Sequence, residues 1–244
     1  LNGFAGTGKT TLIAALVAAL KELRIKPVLL APTGRAAKVL ARYCGEQALT
    51  IHKRIYRQRT NADYESKFSL DFNREQGAVF IVDEASMLSD STGDGALFGS
   101  GSLLEDLVSY VRSGRGCRLI LVGDSAQLPP VGCDFSPALD PATVSRYGEV
   151  VYGLMDEVVR QQMQSGILFN ATLVRCMLEN RIYEIPKFEM DYPDFESVEG
   201  GDFMEKLQDA FDRYGRDEVI VITRSNKRAN RYNEGIRRYI LSAE

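Results

Sequence analysis

The sequence predicts an α/β fold with a mostly parallel sheet flanked by helices, and three observations carry that prediction. Val79–Val82 and Leu119–Val122 are continuous apolar runs of strand length, without the alternation of a half-exposed strand. Stretches of helical composition stand between such runs. Each run also empties into a glycine-rich, polar or acidic turn, where the ligands of parallel sheets collect.

Taken in order, Leu1-Asn2 reads as the tail of a strand. Thr10 to Leu23 is rich in Ala and Leu and reads as a helix that ends before Pro27. Val28–Ala31 is a short buried strand, Gly34 to Tyr43 a helix, and Thr50 to Arg57 a shorter one. Residues 57–77 are polar, with Phe68, Leu70 and Phe72 at period two, and predict a small inserted hairpin or loop. Residues 89–101 are rich in Gly and Ser and predict a flexible connection, and Ser102 to Arg112 is the helix before the strand at 119. A further strand is expected over Glu149–Tyr152. Helices follow at Ile167–Glu179 and Asp202–Tyr214, then a strand at Val219–Ile222 and a basic helix from Asn226. Residues 1–150 are thus expected to form one domain with its insertion near 57–77, and residues 151–244 an incomplete second one.

The chain has 244 residues, of which 45% are hydrophobic and 26% charged, a globular profile able to bury a sizeable core. No apolar run approaches the roughly 18 residues of a membrane span. No secretory signal is visible, and the sequence, which does not open with Met, reads as lacking its natural start. The four cysteines, Cys44, Cys117, Cys133 and Cys176, show no paired spacing and no neighbouring histidine. That argues against a zinc site or disulfide framework and predicts a cytoplasmic protein. The net charge of −3 gives no hint of nucleic acid, but its distribution does. Arg35, Lys38, Arg42, Lys53, Arg54, Arg57 and Arg59 face one acid, Glu46, within one stretch. Arg224, Lys227, Arg228, Arg231, Arg237 and Arg238 form a second, with Glu234. A solvated helix face explains either stretch alone equally well.

Gly3-Phe-Ala-Gly-Thr-Gly-Lys-Thr10 fits G-x-x-x-x-G-K-[ST] in full. In such a loop the backbone N–H groups turn inward and, with the helix N-terminus that follows, cradle phosphate. Gly3, Ala5, Gly6, Thr7, Gly8, Lys9, Thr10 and Thr11 are therefore the expected ATP-binding residues. Lys9 is placed to reach the β- and γ-phosphates, and the Thr10 hydroxyl to ligate Mg²⁺. Ile81-Val-Asp-Glu84 brings two carboxylates to the end of a buried strand: Asp83 to hold Mg²⁺, Glu84 to orient and deprotonate water. Leu121-Val-Gly-Asp-Ser-Ala-Gln127 ends a third strand and offers Gln127 as a side chain that senses the γ-phosphate.

These segments together resemble the superfamily 1 helicases, in particular their RecD-like and Dda-like branch. Gly3–Thr11 resembles motif I, Ala31–Lys38 motif Ia and Thr50–Lys53 motif Ib. Ile81–Met87 resembles motif II, Gly123–Gly132 motif III and Val159-Arg160-Gln161 motif IV. The resemblance implies a RecA-like P-loop fold with the start of a second RecA-like domain. It also implies an ATP-dependent motor on single-stranded DNA, travelling 5′-to-3′. Arg160 would be an arginine finger. Pro32, Thr33, Gly34, Arg35, Thr50, His52 and Lys53 would contact the nucleic-acid backbone, through which little sequence is read. The segment before motif I and motifs V and VI are absent, so the chain is expected to bind ATP, hydrolyse it weakly and need further domains to unwind. Association with subunits of a repair or recombination complex also follows from the resemblance. An RNA helicase of the same superfamily and a nucleotide-dependent regulatory module that does not unwind remain open as alternatives.

Overall fold

The computed structural model describes residues 1–60, 66–90, 98–157 and 165–240. The chain divides into two compact units, Leu1–Gln161 and Gln162–Glu244.

The first unit has the expected layered architecture. Its central sheet holds β2 (Pro27–Ala31), β3 (Ala48–Thr50), β6 (Val79–Val82) and β7 (Arg118–Leu121), in the order β3-β2-β6-β7, all parallel. A short parallel pair, β1 (Asn2–Gly3) with β8 (Leu154–Met155), joins the end of β7 through a bridge from Asn2 to Gly123. Successive residues of the central strands point to opposite faces, and both faces are covered. Leu29, Val79 and Ile81 pack with Ile13 and Val17 of α1 (Lys9–Glu22) and Leu40 of α2 (Gly34–Cys44). Leu30, Phe80 and Val82 pack on the other face with Ile51 and Ile55 of α3 (Ile51–Ile55) and Leu104 and Leu107 of α4 (Leu103–Ser113). This two-sided burial is why the strands read as unbroken apolar runs.

Helix ends follow their local chemistry. Ala36 N–H donates to the Thr33 hydroxyl at the start of α2, and Glu105 N–H donates to that of Ser102 at the start of α4. Gly45, at φ 63°, closes α2 in the left-handed conformation. The insertion is a true antiparallel hairpin, β4 (Tyr56–Thr60) against β5 (Ser66–Leu70). Its root is fixed by Asp106 of α4, whose carboxylate accepts the Tyr56 hydroxyl at 2.7 Å and Ser100 N–H at 3.0 Å. A short helix, α5 (Pro141–Ser145), precedes β8.

Two expected strands are not found. Glu149–Tyr152 is extended but unpaired, and the paired strand lies later, at Leu154–Met155. The position follows the register of β1, in which Asn2 faces Leu154 and Gly3 faces Met155. In the second unit Val219–Ile222 forms no strand. No described strand runs beside it, and Ile220 and Ile222 stay exposed. A strand exists only through its partner's N–H and C=O groups, so apolarity alone does not make one. That unit contains α6 (Gly166–Glu179), α7 (Phe203–Tyr214) and the basic α8 (Asn226–Gly235), which continues as a π-turn over Ile236–Ile240. Asn170, buried in α6, ties down the following chain: its amide donates to Glu189 O and accepts Glu189 N–H, both at 2.8 Å.

Candidate nucleotide site and nucleic-acid edge

The phosphate loop grows out of β1 and runs into α1. Gly6 and Gly8 have φ of 81° and 86°, a region that residues with a Cβ enter at a cost, so the loop curls tightly, with Thr7 N–H donating to Phe4 O at 3.3 Å. Thr7 is buried, and its hydroxyl donates to Phe4 O at 2.8 Å, closing the curl from inside. The Lys9 ammonium donates to Gly3 O at 2.7 Å and Phe4 O at 2.9 Å, which folds it back across the loop mouth. Thr10 is half-buried in the first turn of α1, while Ala5 and Thr11 are exposed.

Asp83 and Glu84 leave the end of β6 beside this loop. Asp83 N–H donates to Leu30 O, Ala85 N–H to Val122 O, and Glu84 N–H to the Asp83 carboxylate at 3.0 Å. Glu84 sits in the left-handed region, at φ 54°. Burial pushes the pKa of both carboxyls up; Asp83 raises Glu84 further, as does Asp124, and the Lys9 charge pulls against both shifts. The four groups therefore share one electrostatic environment. Gly123 permits it: a Cβ there would meet Ser86 N at 3.0 Å and Leu139 Cδ1 at 2.9 Å. Asp124 is buried and accepts Ala126 N–H, whereas Gln127 is exposed on the turn that follows.

The nucleic-acid candidates lie along the same carboxyl edge of the sheet, where Ala31 and Thr50 are register partners. Arg35 and Lys53 are exposed, as are Thr33 and Gly34, while Pro32 and Thr50 are half-buried. The Thr33 and Thr50 hydroxyls are already committed as helix caps, accepting Ala36 N–H and Lys53 N–H at 3.2 Å each. His52 packs edge-on against Phe98 at 5.0 Å and tilted against Tyr56 at 5.6 Å, and burial lowers its pKa. Arg160 lies outside the described residues.

Sequence reading missed Asn2. Its buried side chain accepts Ser125 N–H at 3.0 Å and donates to the Ser125 hydroxyl at 2.8 Å and the Tyr152 hydroxyl at 3.3 Å. The only signal was a fully polar amide in a strand about to be buried, directly before Gly3.

A glycine-curled loop, its lysine and a paired acid at the carboxyl edge of a parallel sheet define a RecA-like P-loop nucleotide-binding domain. The AAA-domain family model matches residues 1–172. The chain is 32% identical over 131 residues to the ATP-dependent RecD2 DNA helicase of Deinococcus radiodurans, covering 54% of this chain and 16% of that protein. It is 33% identical over 198 residues to the RecBCD enzyme subunit RecD of Mycobacterium tuberculosis, covering 66% of this chain and 31% of the relative. It is 34% identical over 136 residues to the ATP-dependent DNA helicase Dda of phage T4, covering 54% and 28%. The chain belongs to the AAA-domain family, and it is similar to superfamily 1 helicases of the RecD/Dda-like branch. It spans well under two thirds of each of these relatives. Among the described residues no helix is long and apolar enough to cross a membrane.

Proposed function

We propose that this chain carries the motor of an ATP-dependent DNA helicase, which couples hydrolysis of ATP to 5′-to-3′ movement along single-stranded DNA. The observation that carries the reading is the left-handed glycine loop with the Lys9 ammonium folded across its mouth, together with Asp83 and Glu84 at the end of β6, where Asp83 N–H donates to Leu30 O and Ala85 N–H to Val122 O. Three carboxylates against one ammonium leave the site short of positive charge. Its oxygen donors, the Thr10 hydroxyl and the Asp83 carboxylate, suit Mg²⁺, which takes one or two protein oxygens and fills its shell with water and phosphate. No larger cluster of metal-binding side chains occurs among the described residues, and this chemistry requires none.

Mg²⁺ and ATP supply the phosphoryl group for transfer to water and the cation that offsets its charge. Lys9 would exchange its two carbonyl acceptors for phosphate oxygens, with the N–H groups of Gly6, Thr7 and Gly8 completing the cradle. Glu84 would hold the attacking water and take its proton at the carboxylate, a role its raised pKa favours by making it a better base. Gln127 would register the terminal phosphate, and Arg160 would serve as the arginine finger that the family resemblance implies. Arg35, Lys53 and the N–H groups at the start of α2 would hold the phosphodiester backbone at the neighbouring sheet edge.

The test is ATP hydrolysis with single-stranded DNA, with single-stranded RNA and with neither, in the wild type and in Lys9→Ala and Arg35→Ala. The reading expects stimulation by DNA, loss of hydrolysis in Lys9→Ala and loss of stimulation in Arg35→Ala. Hydrolysis indifferent to both nucleic acids would remove the motor, and equal stimulation by RNA would remove its restriction to DNA. Unwinding of duplexes carrying only a 5′ or only a 3′ tail reads the direction of travel.

A further inference from the structure

Asn2 is the residue before the phosphate loop, and its side chain leaves that loop altogether to bind the turn after β7. The geometry fixes how its amide is oriented. Ser125 N–H can only donate, so the Asn2 oxygen faces it at 3.0 Å and the Asn2 nitrogen faces the two hydroxyls, of Ser125 at 2.8 Å and Tyr152 at 3.3 Å. The backbone around this amide is tied down on both sides. Gly3 N–H donates to Gly123 O at 3.0 Å, Gly123 N–H to Leu1 O at 3.2 Å, Asn2 N–H to Gly153 O at 2.9 Å and Phe4 N–H to Met155 O at 3.3 Å. Asn2 is 7% exposed, so its bonds do not compete freely with water, while Ser125 is exposed and sits between buried Asp124 and exposed Gln127. Without Asn2, the only described bonds holding the 124–127 turn are its own, Ala126 N–H to Asp124 and Gln127 N–H to Asp124 O.

We propose that Asn2 is a positioning residue for nucleotide hydrolysis: it locks the Asp124–Gln127 turn to the root of the phosphate loop, so that nucleotide held by the loop is registered at Gln127. The proposal rests on the nucleotide-site reading above. A displacement at Gly3 passes to Ser125 through two hydrogen bonds of one rigid amide, rather than through a flexible chain. The same amide reaches Tyr152, which leads into β8, so the turn, the phosphate loop and the strand leaving the first unit meet at one side chain. Alanine in place of Asn2 removes all three bonds and leaves the strand backbone untouched. Serine is too short to span the gap to Ser125 N–H and one of the hydroxyls together.

The test combines kinetics with amide hydrogen exchange on the intact protein. In Asn2→Ala, kcat for ATP is expected to fall roughly tenfold, the size of about one lost buried hydrogen bond at the reacting geometry, while KM for ATP stays within about twofold. Ser125→Ala, at an exposed position and without cavity formation, should lower kcat by a smaller factor, and the double variant should be no worse than Asn2→Ala. A non-hydrolysable ATP analogue should slow exchange both in Gly3–Thr10 and in Asp124–Gln127 of the wild type. In Asn2→Ala the first protection persists and the second is lost. Additive losses in the double variant, a rise in KM with kcat unchanged, or protection of Asp124–Gln127 that survives Asn2→Ala would each overturn the proposal. If Asn2→Ala does not fold, Ser125→Ala, which keeps only the Ser125 N–H bond to the Asn2 oxygen, should weaken the protection of Asp124–Gln127 without abolishing it, and protection equal to wild type would overturn the proposal. A wild type that hydrolyses ATP without stimulation by DNA yet couples the two protections would sink the motor reading and leave this one standing.

Discussion

Replacing Glu84 with glutamine should make the protein more stable and less active at once. The carboxyl is half-buried at the end of β6, and its pKa is raised by burial first, then by Asp83 and Asp124, with Lys9 opposing. A folded-state pKa above the unfolded value means that the folded chain binds more protons in between. Stability then falls as pH rises from the unfolded value through the raised folded one, and the penalty is present above that window. Glutamine has the same shape and no charge, and it inherits the same left-handed backbone, so the backbone cost of about 1–2 kcal/mol is unchanged. Glu84→Gln should therefore raise the unfolding midpoint at pH 7, with the gain vanishing once pH drops below about 4, where both states of the wild type are protonated. Removing a positioned base should meanwhile cost on the order of 10²–10⁴ in kcat. Nucleotide affinity should hold or tighten, because one negative charge beside the phosphates is gone. Thermal unfolding at pH 7 and pH 4, steady-state hydrolysis and nucleotide titration read the three effects. A lower midpoint at pH 7, or a kcat within about tenfold of wild type, would refute the reasoning.

Further expectations follow from other contacts. Asp106→Ala leaves the Tyr56 hydroxyl and Ser100 N–H without their acceptor, at about 1–3 kcal/mol each; urea unfolding should show a loss of roughly 3 kcal/mol. Arg35→Ala should flatten the dependence of single-strand affinity on salt by about 0.7 in the log–log slope, the mark of one phosphate contact. The acid limb of the kcat/KM profile should sit above the ordinary carboxylate range, because hydrolysis needs Glu84 ionised and its pKa is raised; a midpoint at or below about 4.3 would contradict that. Asn170→Ala should free the chain around Glu189, seen as faster proteolytic cleavage there, since both bonds to Glu189 are lost.

The phosphate loop and acid pair were legible because their chemistry is local. Gly6, Gly8 and Lys9 work through neighbouring backbone, and Val79–Val82 announces a two-sided strand by composition alone. What depended on partners was not legible. Glu149–Tyr152 and Leu154–Met155 are equally plausible strands as sequence, and only the position of β1 chooses between them. Val219–Ile222 is as apolar as β6 yet lacks a described neighbour. The capping bonds that the Thr33 and Thr50 hydroxyls make to Ala36 and Lys53 N–H follow from the helix starts and say nothing against their candidacy as backbone contacts. Asn2 escaped because its meaning lies in Ser125, far along the chain. The hairpin was visible as an interruption, but its anchoring on Asp106 was not.

The pairing of β1 with β8 also sets a timetable. Asn2 meets Tyr152 across 150 residues, so the seat of the phosphate loop is completed by nearly the last segment of its unit to be synthesised. Closing a loop of that size costs about 4 kcal/mol in chain entropy, which the β2, β3, β6 and β7 core must already have reduced by bringing the ends near. At a synthesis rate of about 5–20 residues per second, roughly six seconds or more separate the glycine loop from the turn at Gly123 and Ser125 that its root binds, and β8 follows later still. A ribosome-bound chain halted before Leu154 should thus possess most of its core while the phosphate loop still lacks its pairing with β8.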